Sequence, residues 1–222
     1  MMRARTGMMR LNYIFLTHLH ADHILGIPGL LETMAFQGRV EPITIAGPIH
    51  TARLVECFKS VCYFSRNFEV IALELSPEDV VKMKGYQVRA IETRHSVPSL
   101  GYILEEDQRL GRFDRDAALS LGFPPGPLFG RLQHGHEVAV EGRVVQPQQV
   151  MGPARPGRKV VYTGDTRPCR SVEDAGRGAD LLIHDSALAS DMIEWAMETK
   201  HSTAKEAAEL ARRAGVRHLV LT

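Results

Sequence analysis

Residues 17–23 read Thr-His-Leu-His-Ala-Asp-His and follow the apolar run Tyr13-Ile14-Phe15-Leu16. Three histidines and an aspartate this close together form a dense set of metal donors. His18 and His20 stand two apart at a strand end, a spacing that sends both side chains off the same face. Asp22 and His23 follow in the loop. Imidazole and carboxylate suit zinc, with manganese and iron as competitors. A single short segment does not give four ligands to one metal. The stretch therefore predicts a two-metal site whose remaining ligands come from elsewhere. A solvated polar loop is the plainer reading of a lone histidine, but it does not suit H-x-H-x-D-H behind an apolar strand.

The elements that must position these residues can be read from pattern. Residues 13–16 predict a buried strand, 26–36 a loop running into a helix with Pro28 near its first turn, and 43–48 a strand. Residues 50–63 predict a helix, and 68–75, 81–95 and 101–106 three successive strands. Glycine and proline then concentrate in residues 107–158, a stretch that reads as an insertion or arm with one short helix at 114–121 and one or two short strands. From residue 159 the pattern becomes α/β, with strands in "KVVYTGD", "ADLLIHDS" and "HLVLT". "STAKEAAELARRAG" lies between the last two. Its Thr203 and Glu206 form a capping box, and Gly215 stands where a helix C-cap belongs.

Composition narrows the class. The chain has 222 residues, 44% of them hydrophobic, which fits one globular domain with a sizeable core. No apolar run reaches the roughly 20 residues of a membrane helix, so no membrane partner is expected. The basic start "MMRARTGMMR" leads into no apolar signal core. Cys57, Cys62 and Cys169 are odd in number and irregularly spaced, which suits a reducing cytoplasm better than a disulfide framework. A net charge of +1 announces no nucleic-acid partner, so any RNA binding must come from local patches.

H-x-H-x-D-H closely resembles the signature of the metallo-β-lactamase superfamily. The resemblance implies a four-layer αβ/βα sandwich, a single domain over residues 1–222 with 107–155 as its inserted arm. It further implies two Zn2+ ions at one sheet edge, a later histidine and a bridging aspartate. His95 in "ETRHSVPSLGY" and Asp165 in "YTGDTRPC" fit those two places. His18, His20 and His95 would then hold one metal, Asp22 and His23 the other, and Asp165 would bridge.

Five further stretches together resemble ribonuclease Z, the endonuclease that removes the 3′ trailer from precursor tRNA. They are "HSVPSLGY", "LGFPPGPLFGRLQHG", "YTGDTRPC", "LLIHDSAL" and "KHSTAKEAAELARRAGVRHLVLT". The glycine-proline and H-S-T stretches discriminate it from lactonases. The resemblance implies that the 107–155 arm grips precursor tRNA, with Pro125, Gly126, Pro127 and Arg131 as contacts. Charge alone supports this weakly, because Asp107, Asp114 and Asp116 nearly cancel Arg109, Arg112, Arg115 and Arg131. It also implies that His201 faces the scissile phosphate as a catalytic acid oriented by Asp185, where the family often has glutamate. Asp22 would orient the attacking water or take its proton, and the protein would be a homodimer.

Two departures from the family pattern carry an expectation of their own. The family has another metal-binding histidine just beyond "LVLT", and several strands with a "DCGEGTQ"-like stretch before the first cluster. The sequence given holds neither, which predicts a fragment with an incomplete sandwich and reduced activity. Two rival readings remain: another hydrolase of the superfamily, such as a lactonase or small-molecule phosphodiesterase, and an inactive tRNA-binding relative. Deleting the arm separates the first, and metal content the second.

Overall fold

The computed structural model describes residues 7–61, 67–123, 125–140 and 142–222. Most of the basic start, Cys62, Pro124 and the last two residues of the helix expected over 50–63 lie outside them. The chain divides into two units: residues up to Leu104 together with Lys159–Thr222, and Glu105–Arg158.

In the larger unit, β1 (Tyr13–Phe15), β2 (Ile43–Gly47) and β3 (Val70–Glu74) form a parallel three-stranded sheet in that order. A six-stranded sheet runs β11 (Leu219–Leu221), β10 (Leu181–His184), β9 (Lys159–Tyr162), β6 (Leu100–Glu106), β5 (Tyr86–Glu92), β4 (Val80–Met83). Period-two alternation gives each sheet two apolar faces. Ile43 and Ile45 of β2 pack with Leu31 and Met34 of α2 (Gly26–Phe36) and with Val55 and Phe58 of α3 (Thr51–Val61). Ala46 turns the other way, into a core with Val88, Ala90, Leu100 and Tyr102 of the second sheet. On that sheet's far face, Ile91, Ile103, Val161 and Leu182 meet Val172 and Ala175 of α6 (Arg170–Gly176) and Leu210 and Ala211 of α8 (Ala204–Ala214). The layers run helix, sheet, sheet, helix. This is the expected αβ/βα sandwich.

The capping of α8 is as its sequence predicts. Thr203 Oγ1 accepts from the Glu206 N–H, the Glu206 carboxylate accepts from the Thr203 N–H, and Gly215 closes the helix at φ 67°. The single strand expected over 81–95 is instead a hairpin. β4 and β5 pair antiparallel with Met83 opposite Tyr86, and Lys84-Gly85 turns between them with Gly85 at φ 88°. The helix predicted over 26–36 starts at Gly26 with no loop before it, because α1 (Ala21–Ile24) runs almost directly into it. Helices α6 and α7 (Ile193–Thr199) had no counterpart in the sequence reading.

The second unit contains α4 (Arg115–Ser120), α5 (Pro127–Gln133) and a hairpin of β7 (Val138–Val140) and β8 (Arg143–Val145). Ala118, Phe123, Leu132, Val138, Val145 and Val150 form a core of its own. Asp114 caps α4 by accepting from the Ala117 N–H at 2.9 Å. Where the two connecting stretches cross, a Cβ on Gly111 would sit 1.8 Å from the Gly152 carbonyl oxygen, so that position requires glycine.

Candidate metal centre

β1 ends at the site and is fastened there. The Thr17 carbonyl accepts from the Leu100 N–H at 2.7 Å, and the Leu16 carbonyl accepts from the Tyr102 hydroxyl at 2.5 Å. His18 follows, fully buried, with Nδ1 3.1 Å from Thr17 Oγ1. Its Nε2 lies 3.7 Å from Asp165 Oδ2 and has no hydrogen-bond partner among the described residues. The His20 backbone caps α1, and His23 sits within that helix with Nε2 3.2 Å from Asp165 Oδ2. His95 follows β5 and brings Nε2 to 3.2 Å from His20 Nδ1. Its other nitrogen, Nδ1, is 3.1 Å from the Lys200 carbonyl oxygen. A carbonyl only accepts, so Nδ1 carries the proton and Nε2 is left as the donor to a metal.

Asp165 arrives on a tight turn. Gly164 before it has φ 60°, and a Cβ there would lie 2.6 Å from the Thr17 side chain. The two loops that carry His18 and Asp165 therefore touch through a position that only glycine fits.

Three donor groups result: His18, His20 and His95; His18, His23 and Asp165; and His95, Asp165 and His201, with the ligand atoms of each group within 4.8 Å of one another. Burial, reinforced by neighbouring His23, His95 and His20, lowers the His18 pKa to about 3. Burial also lowers that of His95. Both imidazoles are neutral at pH 7, the form that binds a cation. A fully buried Nε2 with no hydrogen-bond partner among the described residues, set among further imidazoles and a carboxylate, fits a metal ion. The site is a metal centre.

The structure brings together His18, His20, His23, His95 and Asp165. Asp22 stands apart from the donor groups: its side chain is 81% exposed, with Oδ2 3.4 Å from His23 Nε2. Asp185 and His201 do form the expected pair, with His201 Nδ1 2.9 Å from Asp185 Oδ2, and aspartate is long enough for the contact. In the second unit, Gly126 caps α5, Pro127 is its first residue, and Pro125, Gly126, Pro127 and Arg131 are all exposed.

Sequence reasoning missed the residues that tie these loops together. Thr166 and Ser202 each give a backbone N–H to Asp185 Oδ2, at 2.9 and 3.3 Å. Ser202 Oγ donates to the Thr166 carbonyl at 2.6 Å. Arg167 donates to the His201 carbonyl at 2.6 Å and pairs with both oxygens of Glu206. Arg167 and Ser202 lie inside stretches already singled out, "YTGDTRPC" and "HST", but backbone contacts leave no mark in residue type.

A histidine-aspartate metal centre on an αβ/βα sandwich defines the metallo-β-lactamase superfamily. In agreement, residues 2–118 and 131–222 match the β-lactamase superfamily domain. Human tRNase Z, short form, shares the fold with a TM-score of 0.71 at 24% identity, over 100% of this chain and 75% of that one. YhfI from Bacillus subtilis, a metallo-β-lactamase fold protein, aligns at 0.63 with 18% identity, over 100% and 67%. Among relatives, ribonuclease Z of Methanosarcina acetivorans is 58% identical over 222 residues, covering 100% of this chain and 73% of its own length. Ribonuclease Z of Myxococcus xanthus is 49% identical, covering 100% and 72%. The chain belongs to the ribonuclease Z family.

Proposed function

We propose that the chain is a metal-dependent endoribonuclease that cleaves the 3′ trailer from precursor tRNA after the discriminator base and leaves a tRNA 3′-OH. The observation that carries this reading is the Asp185–His201 pair beside the histidine-aspartate centre, with 5.1 Å between the His95 and His201 ring centroids. Two Zn2+ ions would be held here: His18, His20 and His95 would hold one, His23 and Asp165 would serve the other, and Asp22 would join only by turning in from its exposed position beside His23. Bound there, the ions would polarise the phosphodiester and make a water molecule acidic near neutral pH.

The protein's own groups do the rest. Asp185 fixes the His201 tautomer, so that Nδ1 carries a proton toward the carboxylate and Nε2 is free to face the substrate. Protonated, His201 gives its Nε2 proton to the leaving 3′ oxygen and offsets charge on the phosphate. Asp22, exposed beside His23, orients the attacking water. The Lys200 carbonyl and Thr17 hold His95 and His18 in place.

Precursor tRNA is also held by the Glu105–Arg158 unit, through Pro125, Gly126, Pro127 and Arg131. Arg109, Arg112 and Arg155 line one cleft of that unit together with His134, and the three guanidinium groups add positive charge to the grip. A homodimer, which the family resemblance implies, completes this reading, and sedimentation tests it. No helix among the described residues is long and apolar enough to cross a membrane. The unpaired thiols of Cys57 and Cys169 suit the cytoplasm.

His201 has a second reading, as a metal ligand, because it shares a donor group with His95 and Asp165. The test is cleavage of a 3′-extended precursor tRNA with zinc supplied, read alongside metal per chain for wild type and His201→Ala. A cut after the discriminator base, lost in His201→Ala with metal retained, supports the acid role. Equal loss of metal and cleavage makes His201 a ligand. Small-ester turnover with no cut in the tRNA overturns the nuclease reading.

A further inference from the structure

Helix α7 ends on Lys200 in the left-handed region, at φ 62° and ψ 39°. Helix α8 ends with nearly the same geometry, φ 67° and ψ 34°, but on Gly215. The two caps differ in their side chain. A Cβ in this region crowds the backbone, so glycine is the stable choice and lysine destabilises the cap. His50 and Glu78 also have positive φ. Lys200 differs from them in its place: its carbonyl holds the His95 ring at 3.1 Å, and His201 is the next residue.

Lys200 is half-buried, and its ammonium has no ion pair or hydrogen bond among the described residues. The carboxylates around His201 are already engaged, Asp185 by His201 and Glu206 by Arg167. The result is a lysine on a strained backbone, its ammonium unpaired among the described residues, one residue before the histidine that the proposed mechanism aims at the substrate.

We infer that Lys200 is a substrate-binding residue whose ammonium takes an RNA phosphate next to the scissile linkage. The inference rests on the nuclease reading above. It gives a role to a charged side chain at a backbone position that favours glycine. Because the same residue orients His95 through its carbonyl, a substitution that keeps the backbone separates the two roles.

The experiment measures binding, in chelator and over a salt series, of an acceptor-stem minihelix carrying a 3′ trailer. Full-length protein is compared with Lys200→Gly, Lys200→Gln and Lys200→Arg, and full precursor tRNA serves as the reference ligand. Lys200→Gly is expected to keep or raise Tm while weakening minihelix binding about tenfold. Its log–log salt slope should shrink by roughly 0.7–0.9, the share of one phosphate contact. Lys200→Arg should keep the wild-type slope, and Lys200→Gln should lose it as glycine does. Wild-type affinity and slope in both Lys200→Gly and Lys200→Gln overturn the inference alone, as does a loss that does not vary with salt. Wild-type protein that binds neither RNA overturns the nuclease reading and the inference with it.

Discussion

The carboxylate of Asp185 is bound from four directions, and His201 is only one of them. Oδ2 accepts from His201 Nδ1 at 2.9 Å and from the N–H groups of Thr166 and Ser202, while Oδ1 accepts from the Ala187 N–H at 2.9 Å. The group is 2% exposed. It therefore orients His201 and also joins the loop after Asp165 to the loop that starts α8.

That double duty separates two substitutions. Asp185→Ala leaves three backbone N–H donors without an acceptor, at about 1–3 kcal/mol each, and should lower stability by about 3 kcal/mol or more. Asp185→Asn keeps the shape and most acceptors, so it should be milder in urea unfolding. Cleavage of precursor tRNA should still fall about 100-fold or more in Asp185→Asn, because the imidazolium loses its counter-charge. Metal content should hold. Full activity in Asp185→Asn would remove the pair from the mechanism.

The metal-free protein should lose stability in acid through its buried histidines. Burial, then neighbouring imidazoles, puts His18 near pKa 3, and burial also lowers His95 and His184. Unfolded histidine titrates near 6.5. Below that value the unfolded chain takes up protons that the folded chain refuses, so stability falls from about pH 6.5 toward 3 and is level above about 7. Urea midpoints in chelator at pH 8, 7, 6 and 5 check this. His184 is the simplest control: it is fully buried, outside the donor groups, and its Nε2 has no partner among the described residues. His184→Asn should flatten part of the slope.

Gly164→Ala should strike the metal centre without changing a ligand. The residue has φ 60°, and its new methyl would meet the Thr17 side chain at 2.6 Å. Relief requires moving either the Asp165 loop or the strand end that carries His18. The left-handed strain and the overlap together should cost about 2–4 kcal/mol. Metal per chain should fall along with Tm. Wild-type metal content would show that the two loops can part without disturbing the donors.

What could be read in the sequence follows from which atoms do the work. His18, His20 and His23 offer their side chains from one dense cluster, so residue type and spacing named them, whereas His95 and Asp165 stand alone in the sequence and only the resemblance to the superfamily pointed to them. The capping box on α8 was equally plain, being two side chains at fixed spacing. The Lys200 carbonyl and the Thr166 and Ser202 N–H groups act through the backbone, which every residue shares. The β4–β5 hairpin was hidden because Lys84-Gly85 interrupts the alternating run for two residues only. Helix α5 was masked by the glycine and proline around it. Arg39 gave no sign at all. It lies in the polar stretch "FQGRVEP", yet it is 1% exposed and donates to the carbonyls of Met9, Glu41 and Pro42.

Arg167 and Glu206 supply the last prediction, because they connect the metal-centre loop to the helix behind His201. Arg167 Nη1 donates to the His201 carbonyl at 2.6 Å and to Glu206 Oε2 at 2.8 Å, and Nη2 takes the other oxygen. Burial pushes the Glu206 pKa up, but hydrogen bonds from Arg167 and Thr203 outweigh it and hold the carboxyl below its ordinary value. A depressed carboxylate stabilises the fold above its unfolded pKa and loses that effect as pH falls through the folded one. The pair should therefore contribute fully above about pH 4.5 and fade below it. A double-mutant cycle of Arg167→Ala and Glu206→Gln should give a coupling of about 0.5–3 kcal/mol at pH 7, shrinking toward pH 3. Arg167→Ala should also slow cleavage more than Glu206→Gln does, with metal retained, since only the arginine holds the His201 carbonyl. Strictly additive effects at pH 7 would mean that the two side chains act independently and that the helix cap alone positions His201.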